Sequence, residues 1–448
     1  MGRLSSDCFG TAPAPLRVAD AVALIRARLP VLAGIETVPL ADADGRILAE
    51  DLIAPLDLPP FDNAAVDGYA FRAADLAPGA DSLSLGGRVP AGHAPVEARA
   101  GRTVRIFTGA PMPPGTDTVA MQEDVRLDGD AVRPPAGLAP GANRRRAGED
   151  VACGTCAIPT GTRLGPRHLA LAAALGRADL RLRVPLRVAL FSTGDELTPP
   201  GEPLPPAGIH DANRPMLAAL LRRLGAEPHD LGILRDVIGQ VRERLAAAAA
   251  EHDLIVTSGG VSVGEEDHVR AAVESSGSLT LWRLAIKPGR PVALGTVAGT
   301  PFIGLPGNPA AAYVTALAVL KPLVLHLSGT EDAAPAPTVR SGFALQKRAG
   351  RREYLRVSLR PGEAGMPEAV LVPGGRPHRP VGERRACRAR RGPDRDPLRR
   401  CSAVPATRGS WLSCCSRLPT CRASLHSPRD LFEIPCPCSQ TAPPPRST

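Results

Sequence analysis

Three glycines and three acids share ten residues in "SGGVSVGEED", Ser258–Asp267. A glycine-rich turn after a strand can wrap a phosphate with backbone N–H groups, helped by the dipole of a following helix. Ser258, Gly259, Gly260 and Ser262 are the candidates for such a cradle. Glu265, Glu266 and Asp267 would repel the same anion. A divalent cation between them removes the conflict, because Mg²⁺ is held by one or two carboxylates plus substrate phosphates. The plainer reading of Glu265 and Glu266 is that acids in a first helical turn gain from the dipole.

Further polar clusters fall where strands should end. "FSTGDEL" offers Ser192, Thr193, Gly194, Asp195 and Glu196, and "ILRD" ends at Asp236. "IKPGRP" carries Lys287, and "LPGNPA" carries Pro306 and Pro309. Each alone is ordinary turn chemistry; several converging on one sheet edge would make a binding site. The chain has three lysines (Lys287, Lys321, Lys347) against 51 arginines. In so arginine-biased a sequence, Lys287 marks a place where a compact ammonium is wanted, or simply a retained lysine. "CGTC" at 153–156 could be a redox pair, but it lacks the strand-to-helix setting such a pair needs, so a structural role is expected.

The elements that must position these residues follow from periodicity. Residues 17–29 space apolar side chains as an amphipathic helix, and Pro30 ends it. "TVPL" reads as a strand, and 58–72 as a loop rich in turn formers. From there to about 140, short apolar runs broken by Gly and Pro read as a small β-rich domain. "NRRRAGED" (143–150) leads back to a helix in "GTRLGPRHLALAAALG", which makes a first domain in two pieces plausible. Residues 187–327 alternate strand and helix, the pattern of a doubly wound sheet. The expected domains are 17–52 with 143–186, an insert at 53–142, an α/β domain at 187–327 and a β segment at 328–375. The fold class is therefore α/β multidomain: a doubly wound α/β substrate-binding domain, a β-rich inserted domain, a small linker domain and an incomplete C-terminal β domain.

Charge and cysteine separate the last part of the chain from the rest. The net charge is +9 over 448 residues. From Arg376 onward there are 15 arginines and 5 acids, while the first 375 residues carry 39 basic and 40 acidic side chains. Seven of the ten cysteines (Cys387, Cys401, Cys414, Cys415, Cys421, Cys436, Cys438) lie there too, without zinc-finger spacing. The folded part thus has no charge excess that would favour nucleic acid. The segment 376–448 shows neither helical nor strand period. It reads as an aberrant, disordered stretch, either a frameshift near residue 375 or a native basic tail; comparing the alternative reading frames decides between them. No uninterrupted apolar run of about 18 residues is found, so no membrane partner is expected. The N-terminus lacks an apolar signal core, which favours the cytoplasm.

The motifs "FDNAAVDGYAFR", "RIFTGAPMPPGTDTVAMQED", "RRRAGED", "FSTGDEL", "SGGVSVGEEDH", "WRLAIKPGRPVALG" and "GLPGNPAAAYV" occur in the order seen in the molybdopterin molybdenumtransferases. Over about residues 17–374 the chain resembles this MoeA family, which is related to the E domain of gephyrin. The resemblance implies an elongated four-domain subunit, a homodimer with its active site in a cleft between subunits, and use of adenylylated molybdopterin, molybdate and Mg²⁺. The reaction implied releases AMP and leaves molybdenum on the dithiolene. The molybdopterin adenylyltransferase, whose fold resembles the α/β domain, is implied as a possible partner; its own reaction, or non-catalytic pterin-nucleotide binding, are the alternative functions. By motif, Asp67, Thr108, Glu196, Asp236 and Asp267 are the implied catalytic residues, with Glu196, Asp236 and Asp267 as metal ligands. Asp150, Arg283, Lys287, Pro306, Pro309 and Arg351 join the cradle residues in substrate binding. Arg283 stands where relatives can have lysine. Family members continue after a "PGG"-like point with strands that close the last domain; their loss here would leave an open sheet edge.

Overall fold

The computed structural model describes residues 15–76, 81–260, 268–331, 338–345, 350–362 and 365–372, and the backbone of Arg400–Ala403 and Ser410–Cys414. The chain divides into two compact units. One is Ile35–Leu182; the other takes the chain up to Gly34 and from Arg183 onward.

The larger unit is built on a six-stranded sheet in the order Glu227–Leu234, Arg187–Thr193, Leu254–Ser258, Thr300–Leu305, Pro291–Val297, Gly277–Arg283. The first four strands are parallel. The last two turn antiparallel. The switch is local chemistry: Val297 and Thr300 are joined by Ala298 and Gly299, both at positive φ (48° and 85°), as a two-residue hairpin turn requires. The sheet is thus doubly wound at its centre and mixed at one edge, rather than parallel throughout.

Side-chain alternation splits the core. Val188, Leu190, Leu254 and Val256 join one apolar cluster, with Leu217 and Leu221 of the helix Asn213–Arg223. Ala189, Phe191 and Ile255 join a second, with Val241 and Leu245 of Ile238–Glu251 and Val269 and Val273 of His268–Ser276. Helices on both faces leave the four inner strands nearly all buried, which is why their sequences read as continuous apolar runs. The N-terminal helix Val18–Arg28 buries Val18, Ala21 and Ile25, one stripe at helical spacing, in the first cluster.

The segment Pro309–Leu327 is long and apolar enough to cross a membrane by length and composition, but 72% of its apolar window is buried inside the protein. It is a core helix, with a wider turn at Ala316–Leu320. In the C-terminal part, Arg352–Arg360 pairs antiparallel with Glu368–Leu371, which runs parallel to Val339–Ser341. The expected open edge is occupied: Ser410–Cys414 pairs with Arg352–Arg360 and Arg400–Ala403 with Val339–Ser341. Those two stretches of the segment read as disordered are therefore strands; the rest of it lies outside the described residues.

The smaller unit holds a six-stranded sheet in the order Thr118–Met121, Gly68–Phe71, Arg102–Ile106, Leu83–Val89, Ala131–Arg133, Arg126–Asp128. Beside it lie the short pairs Asn63–Ala64 with Arg144–Arg145 and Leu52–Ile53 with Cys156–Ile158, and the helix Pro166–Ala174. The stretch 58–72 is not one loop. Gly68–Phe71 is a fully buried strand, and a Cβ on Gly68 would lie 2.0 Å from the Ala120 carbonyl oxygen. The turn formers there end two short strands, and the glycine permits close pairing. Cys153 and Cys156 are free and exposed. Cys153 N–H donates to Asp57 Oδ1 at 2.7 Å, ordinary turn chemistry.

Candidate active site

Three turns meet at the carboxyl ends of the parallel strands. Ser258, 2% exposed, closes its strand. The next residue, Gly259, donates its N–H to Leu305 O at 2.9 Å. Gly259 sits at φ +96°, and a Cβ there would come within 2.5 Å of Thr193 Oγ1. Only glycine fits between the "FST" strand end and this turn. The "LPGN" turn completes the set, tied in by Asn213, whose Nδ2 donates to Ser258 Oγ at 2.7 Å and to Gly307 O at 2.6 Å.

Two helix starts that could have served an anion are already occupied. Asn308 Oδ1 accepts the N–H groups of Ala310 and Ala311 at 3.0 and 3.2 Å. Asp211 Oδ1 accepts those of Asn213 and Arg214 at 3.1 and 3.2 Å. Such capping satisfies donors that would otherwise face a ligand. The first of these caps belongs to the "LPGNP" turn. Pro306 is buried in that turn and Pro309 opens the helix, where a missing N–H does no harm. Ser262, Glu265, Glu266 and Asp267 lie outside the described residues.

The acids gather at the adjacent strand ends. Asp195 and Glu196 follow Arg187–Thr193, and Asp236 follows its neighbour Glu227–Leu234. Asp195 Oδ1 accepts the N–H of Asp236 at 3.2 Å, and the Arg235 guanidinium donates to Asp195 O at 2.9 Å. Loss of solvent raises the Asp236 carboxyl above its ordinary value; the negative charges of Asp195 and Glu196 add to this, and His268 opposes it. The Glu196 carboxylate folds over Gly194, where a Cβ would lie 2.2 Å from Oε2, so a side chain at 194 would displace that carboxylate. Asp195 is the member of this cluster that the sequence reading displayed in "FSTGDEL" without selecting it. Among the described residues no group of three or more His, Cys, Asp or Glu is arranged to hold a metal. Two carboxylates suffice for Mg²⁺ when phosphate oxygens complete the shell, and hard oxygen donors are the right kind.

The basic candidates have distinct surroundings. Arg283 is exposed at the end of Gly277–Arg283, and Lys287 is half-buried in the two-residue strand Ile286–Lys287. Lys287 stands in parallel register with Glu353. Arg351 donates from Nε to Glu353 Oε1 at 2.9 Å, so its guanidinium is held by a buried carboxylate.

In the smaller unit, Asp67 and Thr108 come together across 41 residues of chain. Asp67 Oδ1 accepts both the backbone N–H and the hydroxyl of Thr108, at 2.8 and 2.7 Å. These two bonds, the backbone one first, hold the Asp67 carboxyl below the ordinary value. Asp150 forms an ion pair with Arg145, which also reaches Glu149 at 3.4 Å. Arg144 pairs with Asp62, whose other oxygen accepts Ala147 N–H at 2.8 Å. The run "NRRRAGED" is thus held partly by its own charges, through Arg145, and partly by Asp62. Arg145 was not among the residues read from sequence, although the triple arginine was the available signal.

Comparison with known proteins agrees along most of the chain. A family model described as the MoeA N-terminal region (domain I and II) matches residues 16–176, and one described as a probable molybdopterin binding domain matches 189–326. The chain is 40% identical over 349 residues to a molybdopterin molybdenumtransferase of Haemophilus influenzae, covering 77% of this chain and 86% of that one. It is 39% identical over 344 residues to molybdopterin molybdenumtransferase 2 of Mycobacterium tuberculosis, covering 72% and 83%. Among solved structures, the molybdopterin biosynthesis moeA protein of Pyrococcus horikoshii OT3 superposes with a TM-score of 0.67 at 28% identity, covering 81% of this chain and 91% of that one.

Proposed function

Because the chain belongs to the molybdopterin molybdenumtransferase family, and so is a transferase of molybdenum cofactor biosynthesis, we propose the following reaction for it. Adenylylated molybdopterin and molybdate are the substrates; AMP is released, and molybdenum is left on the dithiolene of the pterin. The supporting observation is the acidic cluster of Asp195, Glu196 and Asp236 next to a glycine-rich turn. Loss of solvent, with repulsion from Asp195 and Glu196 added to it, raises the Asp236 carboxyl, which is the kind of perturbation that marks a functional site.

In this reading Glu196 and Asp236, with Asp267, hold Mg²⁺. When bound, the ion supplies positive charge to the phosphoanhydride and its leaving phosphate. The chain's own residues do the rest. Ser258, Gly259, Gly260 and Ser262 present backbone and hydroxyl donors to the phosphates, and Lys287 and Arg283 add mobile cations at the same sheet end. Asp67, held ionised by Thr108, is too weak a base to keep a proton. It is assigned to orienting the water oxygen that attacks the phosphoanhydride phosphorus. The P–O bond to AMP breaks and AMP leaves as an anion, while the oxygen that molybdate gives up on binding the two sulfurs leaves as water with their protons. Asp150 and Arg351 shape the site through their ion pairs with Arg145 and Glu353, and Pro306 and Pro309 set the turn. The homodimer, the cytoplasmic location and the adenylyltransferase as supplier of substrate belong to the same proposal.

The test is AMP release by the purified chain with adenylylated molybdopterin, molybdate and Mg²⁺, beside Asp67→Ala. Molybdate-dependent AMP, lost in the variant, is the expected result. A folded protein that binds the nucleotide and releases no AMP would refute the transferase reading in favour of a binding protein. Accumulating rather than consuming adenylylated pterin would make it an adenylyltransferase.

A further inference from the structure

Asn213 opens the helix Asn213–Arg223 yet is only 8% exposed. Asparagine at a helix start ordinarily faces water and caps. Here the capping is done by Asp211, 1% exposed, which takes the N–H groups of Asn213 and Arg214 and pairs with the Arg214 side chain. Arg214 also reaches Asp230 at 3.1 Å. The backbone of Asn213 is therefore fixed from one side, and its amide is free to act on the other.

The amide's orientation is dictated by chemistry. A carbonyl oxygen only accepts, so the atom 2.6 Å from Gly307 O must be the NH₂. The same nitrogen donates to Ser258 Oγ at 2.7 Å. Both amide hydrogens are spent, one on each of two turns that lie 49 residues apart in the chain. Ser258 Oγ accepts, which leaves its own hydrogen available to donate. Asn213 Oδ1 remains buried with no partner among the described residues. An unmet buried acceptor is unfavourable, so the fold tolerates it for what the NH₂ does.

We propose that Asn213 is a positioning residue: its NH₂ clamps the "SGG" turn at Ser258 to the "LPGN" turn at Gly307, so that both already stand at the spacing an anionic ligand needs. The clamp rests on the proposed function for its ligand, but not for its existence, which the ligand-free protein can reveal. Pre-set donors bind more tightly because less order is lost on binding.

The experiment compares the wild-type chain with Asn213→Asp and Asn213→Ala. The first keeps the shape and faces Gly307 O with a carboxylate oxygen; the second removes the amide and serves if the first fails to fold. Hydrogen exchange is measured without ligand at residues 259–260 and 307–308, and the Kd of adenylylated molybdopterin is measured by calorimetry. The expected result is roughly tenfold faster exchange confined to these two turns and a Kd weakened about tenfold. Unchanged exchange in both variants would overturn the proposal. So would faster exchange throughout the sheet with an unaltered Kd, because that describes a residue serving stability alone. If the wild-type chain binds no nucleotide, the proposed function fails, and local exchange in the two turns still decides the clamp.

Discussion

Asp67 receives two hydrogen bonds from one residue, and valine at position 108 removes only the hydroxyl one. Thr108→Val should therefore move the Asp67 carboxyl part of the way up toward its ordinary 3.8, as read by carbon NMR titration. A carboxyl whose folded value is depressed adds stability that is present above 3.8 and lost as pH falls through the folded value. The variant should thus carry a smaller contribution of this kind, exhausted at a higher pH, and the acid limb of AMP release should move up with the folded value. Asp150 offers a contrast. Its pair with Arg145 is half-exposed, and such solvent-screened pairs contribute little to stability. Asp150→Asn should leave the unfolding midpoint in urea nearly unchanged, so a large fall in AMP release would report on the site and not on folding. At this scale the sequence showed both members of the Asp67–Thr108 pair by motif and hid the bond between them. Arg145 was hidden because three consecutive arginines do not declare which carboxylate each will meet.

Helix and strand ends carry the site, so their integrity can be tested apart from the chemistry. Asn308→Ala removes the side-chain oxygen that satisfies Ala310 and Ala311 and should cost about 1 kcal/mol in equilibrium unfolding, with an unchanged denaturant slope. Leu190→Ala, in the second strand of the sheet and 0% exposed, should cost about 2–5 kcal/mol by the same measurement. The strands Arg187–Thr193 and Leu254–Ser258 were legible because burial on both faces writes a continuous apolar run. The stretch 58–72 was misread because its strands are two and four residues long. Periodicity needs a longer sample than that, and the turn residues at their ends dominated the pattern. The hairpin at Ala298–Gly299 was equally invisible as a change of direction, since an apolar strand looks the same in either sense.

At the scale of the whole molecule, the charge imbalance and the C-terminal pairing make one prediction together. Truncation after Gly375 leaves 39 basic and 40 acidic side chains and removes the strands that pair with Arg352–Arg360 and Val339–Ser341. Near-zero net charge and an uncovered strand edge both favour association. Light scattering should therefore show more self-association than in the full chain. The sequence by itself determined the family, the α/β pattern, the glycines and acids of the strand ends and the charge division at Arg376, because these depend on residue type, order and local periodicity. Only the tertiary structure decided that Asp67 meets Thr108, that Asp195 belongs with Asp236, and that Asn213 spans two turns. Those contacts join residues 41 to 94 positions apart, and hydrogen bonds and repulsion between side chains exist only once the sheets have brought the chain segments together.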